Sequence, residues 1–244
     1  MCGDAEPSTG GPANVRALSD DVAVPAFPII KARPADAAPR GRMGYDISAD
    51  RLLLHTIQTE EAFEGLLSDG VLVPDISRAE PLHADAYDWM FRQMAARLPT
   101  AGDGAIWLWA QIRRRELVEL CRLSSGEVLL TCRVPRKRVL LSHFGDWHSV
   151  LNRTPHVLEL PGESDEDYGA RLDCIFDDVD ARILAAGVPR DAGYRHWPVA
   201  LRTELEQSWE FVLEPVNYGR YESWQATVHC LREDDVVEAV RIER

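Results

Sequence analysis

Hydrophobic and polar positions change period at readable points along the chain, and the clearest stretch is Leu52 to Asp75, LLLHTIQTEEAFEGLLSDGVLVPD. Its apolar run, polar pair and amphipathic segment predict strand, helix and strand, with His55-Thr56 at the first junction. Thr59 suits the helix N-cap, Glu60 and Glu61 its positive end, and Gly70 its left-handed close. Phe63, Leu66 and Leu67 share one face, so the helix needs a sheet or another helix to cover it.

Further elements follow from the same two periods. His83 to Leu98 carries Tyr87, Met90, Phe91, Met94 and Leu98 at helical spacing, and Pro99 stops it. Ala105 to Ala110 alternates as a strand, with Trp107 and Trp109 on one face and Ile106 and Leu108 on the other. Glu127 to Val134 is a second alternating strand. Leu172, Ile175, Phe176, Val179 and Ile183 mark a helix ending at Gly187, and Val199 to Leu213 marks another. Ser223 to Leu231 and Asp235 to Ile242 close the chain as strands for which a hairpin is the natural connection. These readings predict an α+β fold: a mixed, mainly antiparallel split sheet flanked by helices, in a single domain over residues 47–244.

Residues 1–46 read differently. Six prolines from Pro7 to Pro39, among many Ala and Gly, predict a disordered flexible tail whose piece Val22 to Ile30 can still dock in extended form.

Composition narrows the function classes. No apolar run approaches the roughly 20 residues of a membrane span, and no basic-then-apolar leader opens the chain, so no membrane association is expected. Five scattered Cys with no C-x-x-C pair fit reduced thiols and a cytoplasmic location. A net charge of −13 opposes general nucleic-acid affinity. The basic runs at Arg113 to Arg115 and Arg136 to Arg138 read as solvated strand edges, and the nine acids from Glu159 to Asp180 as a solvated helix face. Nucleophile elbow, Walker loop and dinucleotide fingerprint are all absent.

Two places carry candidate chemistry. In SHFGDWH, His143, Asp146 and His148 invite a metal, but zinc needs further ligands and no H-E-x-x-H or Cys set is present, so none is expected. His55 follows a strand and precedes a helix N-terminus, a place that favours phosphate or carboxylate. His55 and Thr56 are therefore expected to floor a ligand pocket walled by Trp107 or Trp109, against the plainer reading of a buried core histidine.

The blocks LLHTIQTEEAFEGLLSDGVL, WMFRQMAARLP, AIWLWAQ, VLLSHFGDWHSVLN, SWEFVLEP and WQATVHCL resemble the signature blocks of a bacterial family known only as domain of unknown function 3841. More distantly, the order of polar pair, helix, G-V-L, aromatic strand and late polar strand is similar to the compact ADP-ribosyltransferases and RNA 2′-phosphotransferases. That resemblance implies NAD as ligand. It implies cofactor binding by His55 and Thr56, stacking on Trp107 or Trp109, and a late-strand group at Gln225 or Glu222 holding the ribose hydroxyl. A carboxylate there stabilises charge on the ribose, whereas Gln225 supplies a hydrogen bond without charge. Two functions stand at this point: ADP-ribosyl transfer from NAD, or a non-catalytic binding protein that keeps the same fold.

Overall fold

The structure is a computed structural model, and it describes residues 25–40, 46, 49–76, 80–189, 192–214 and 223–243. Its strands are β1 (Ile29–Ala32), β2 (Arg51–Gln58), β3 (Val71–Leu72), β4 (Ile106–Gln111), β5 (Val128–Pro135), β6 (Leu140–His143), β7 (Trp224–Val228), β8 (Leu231–Arg232) and β9 (Val236–Ile242). Its helices are α1 (Pro34–Ala37), α2 (Glu60–Asp69), α3 (Ala84–Arg97), α4 (Arg114–Leu123), α5 (Phe144–Asn152), α6 (Asp165–Ala185) and α7 (Val199–Trp209). The fold is α+β. Among the described residues seven strands form one sheet in the order β1-β9-β5-β2-β4-β7-β6, antiparallel except where β1 joins β9, and β3 and β8 form a small ribbon.

Alternation along the strands decides what each face of the sheet buries. Leu52, Leu54, Leu108, Leu130, Cys132 and Ala226 point to one side, where Phe63 and Leu66 of α2 cover them. Thr59 caps α2 by accepting the Ala62 N–H at 3.2 Å, and Gly70 ends it at φ 70°, so both expected punctuators hold. The other face is covered in two places. Leu129, Val240 and Ile242 lie under α1 and α4, while Leu140 and Trp107 lie under α3, α5 and α7.

Several elements differ from the sequence reading. The tail expected over residues 1–46 does not hold at 27–38: Phe27 is buried, β1 pairs with β9 in parallel, and Ala37 and Ala38 are core. The prolines permit this because Pro28 precedes the strand and Pro34 opens α1, so neither interrupts a ladder. Val22 to Val24 lie outside the described residues. Instead of a terminal hairpin, β7 pairs with β4 and β6, and β9 pairs with β5 and β1. The 3-10 turn Glu233–Asp235 after β8 carries the chain across the sheet.

Arg113, Arg115 and Lys137 are exposed, as a solvated run would have them, but one arginine of each run is drawn into the fold. Arg114 starts α4 and donates to the carbonyls of Ala35 and Pro39, fastening α1. Arg138 is buried against Asp235.

Candidate functional site

β2 runs through the expected junction and continues to Gln58, so His55 and Thr56 sit inside a strand in the middle of the sheet. Adjacent strand residues point to opposite faces. Thr56 spends its hydroxyl on its own side, donating to the Trp107 carbonyl at 2.9 Å and accepting from Gln58 Nε2 at 2.8 Å. His55 points to the other face, with Nδ1 3.2 Å from Thr131 Oγ1. The two therefore cannot floor one pocket together.

Strand register assembles a different set. His55 faces Thr131 on one side and Trp109 on the other, Trp109 faces Gln225, and Gln225 faces Ser142. Register partners share a face, so Thr131, His55, Trp109, Gln225 and Ser142 form one row across five strands. Three of these were expected site residues. Thr131 and Ser142 were missed, although each interrupts an apolar strand run in Leu129-Leu130-Thr131-Cys132 and Leu140-Leu141-Ser142.

The row has a graded environment. His55 is 2% exposed, and burial lowers its pKa to about 4, so the imidazole is neutral at pH 7. Trp109 is half-buried and meets the Phe144 ring edge-on at 5.0 Å. Ser142 Oγ and Gln225 Oε1 are both shielded from solvent, and neither has a hydrogen-bond partner among the described residues. Orphaned atoms of this kind are rare in folded proteins and commonly mark places where a ligand or water completes the bonding.

Trp107 is not part of the row. It packs on Trp147 with centroids 5.1 Å apart, under the second helical layer. Glu222, the other late-strand candidate, lies outside the described residues.

Beside the row's β6 end is a second polar group that sequence reading saw only in part. His143 caps α5: its Nδ1 accepts the Asp146 N–H at 3.2 Å. Asp146 Oδ2 lies 3.1 Å from His143 Nδ1 and 3.6 Å from Nε2 of buried His156. Burial pulls the His156 pKa down; Asp146 opposes the shift and His143 adds to it. His148 turns away, its Nδ1 near the carbonyls of Phe144 and Gly145. Among the described residues no cluster of three or more His, Cys, Asp or Glu has a metal-holding arrangement.

A known family model, described as a domain of unknown function, DUF3841, matches residues 53–237. The chain belongs to that family. No curated protein and no solved structure matches it. The match begins one residue after Leu52 in β2 and ends at Val237 in β9, so the DUF3841 region contains the whole row. No described helix of this DUF3841 protein is long and apolar enough to cross a membrane.

Proposed function

We propose that this DUF3841 protein is ADP-ribosyltransferase-like and binds NAD along the row His55–Trp109–Gln225. The observation that supports the reading is the register: three residues proposed from separate parts of the sequence lie on adjacent strands and one sheet face. The unpartnered Gln225 Oε1 and Ser142 Oγ fit it as well, since a ribose hydroxyl or carboxamide would satisfy them. NAD would supply an ADP-ribosyl group whose bond to nicotinamide breaks with positive charge building on the ribose. Trp109 would offer a ring face for stacking, and neutral His55 a hydrogen bond without charge. The four described cysteines are unpaired thiols, in keeping with the reducing cytoplasm proposed for the protein.

A specific observation favours a second reading, in which the protein holds NAD without cleaving it. The row position that the resemblance assigns to a carboxylate is the neutral amide Gln225. An amide accepts one hydroxyl but stabilises no positive charge, so bond cleavage loses its main electrostatic aid.

Calorimetry with NAD tests the shared part. Wild-type protein should give saturable heat, and Gln225→Ala should weaken binding about 3- to 30-fold, the effect of losing one or two hydrogen bonds at roughly 1 kcal/mol each. No heat from the wild type at millimolar NAD sinks both readings. Nicotinamide release by wild-type protein separates transfer from binding alone.

A further inference from the structure

A cavity of about 180 Å³ lies between α3, the start of β4 and the segment that follows β3. Three aromatic side chains wall it. Tyr87 and Phe91 come from successive turns of α3 and stack with centroids 6.4 Å apart and planes 19° apart. Trp107 comes from β4 and is steadied from outside by Trp147. Pro74, Asp75 and Ile76 complete the wall, and among the described lining residues Asp75 is the one that carries charge. Gly104 lets the wall close, because a Cβ there would stand 2.8 Å from the Pro74 ring. Burial and then Glu80 raise the Tyr87 pKa, so its ring is a neutral phenol at physiological pH.

We propose that this cavity binds a small organic cation of the quaternary or methylated ammonium class. Ring faces carry negative quadrupole charge, and several rings with a carboxylate attract an alkylammonium through cation–π contact and charge together. An anion meets Asp75 and the ring faces, and is repelled. Most pockets for drug-sized ligands run to roughly 300–1,000 Å³, so a nucleotide is too large and a single ammonium head group is the right scale. The site is separate from the row, since Trp107 turns to Trp147 whereas Trp109 turns to Phe144.

Choline and its uncharged isostere 3,3-dimethylbutan-1-ol are the probes, followed by the NMR signal of the Trp107 indole N–H. The full chain should show a saturable shift with choline at a Kd of about 1 mM or below, and binding of the alcohol at least about tenfold weaker. Asp75→Asn should weaken choline by about 3- to 10-fold and leave the alcohol unchanged, with folding checked by the same spectrum. Phe91→Leu should weaken choline more than the alcohol, with folding checked by the same spectrum. Equal binding of the two probes, no choline binding, or indifference of choline to Asp75→Asn overturns the proposal.

Discussion

Arg138 Nη1 lies 2.9 and 2.8 Å from the two carboxylate oxygens of Asp235, a buried contact between residues 97 positions apart. The rest of the pair is also satisfied. Arg138 Nη2 donates to the Cys230 carbonyl at 3.0 Å, and Asp235 Oδ2 accepts the Arg232 N–H at 3.0 Å. The pair therefore fixes the crossing between β8 and β9 against the turn before β6.

Breaking this pair from both sides should cost less than the two single changes summed. Asp235→Ala is expected to destabilise by about 3–5 kcal/mol because it strands a buried guanidinium. Urea denaturation of Asp235→Ala, Arg138→Met and the double variant checks it. The double variant should be less destabilised than the sum of the two single changes; strict additivity would show that the charges do not interact.

Residues 27–38 should be needed for stability. Phe27 meets Phe63 with centroids 6.5 Å apart, and β1 covers the edge of β9. Phe27→Ala should cost about 3–5 kcal/mol, and deletion through Arg40 should cost at least as much. A shortened chain with an unchanged denaturation midpoint and slope would refute this.

Acid should destabilise the fold through His55. Its folded pKa, about 4, lies below the ordinary 6.5, so the unfolded chain binds the proton more readily. Stability is therefore complete above about pH 6.5 and falls as pH drops toward 4, by about 3 kcal/mol from this group at most. His156 and His229 shift in the same direction. His55→Asn should flatten the pH dependence between those limits, measured as denaturation midpoints; parallel wild-type and variant curves would assign the loss elsewhere.

On the proposed NAD reading, Gln225→Glu should supply the charge that the resemblance places on the late strand. A carboxylate at this register position would raise nicotinamide release from NAD at least about tenfold, about 1.4 kcal/mol of barrier. Thr56→Val is the control: it faces away from the row, so it should lower stability by about 1–2 kcal/mol through lost hydrogen bonds and leave NAD affinity unchanged. Release that rises equally in both variants would separate the chemistry from the row.

Much of the fold was legible because local period and punctuation agree with the tertiary result. Thr59 and Gly70 bound α2, and Pro99 follows α3, as the sequence indicates. α4 went unread because Arg113-Arg114-Arg115 masked the spacing of Leu117, Val118 and Cys121, which is helical once α1 and the sheet cover it. Ile29–Ala32 read as tail because four apolar-rich residues among prolines carry no period long enough to see.

By itself the sequence determined the class of fold, the alternation that sets Trp107 and Trp109 on one strand face, and the polar residues set into apolar strands. Only the tertiary structure decided which of them meet. Strand order and register are long-range pairings, chosen by how the faces of the whole sheet bury, so no local pattern fixes Trp109 between His55 and Gln225 or sends Trp107 to Trp147. The same pairing split His55 from Thr56, because a strand that runs on through both must send neighbouring side chains to opposite faces.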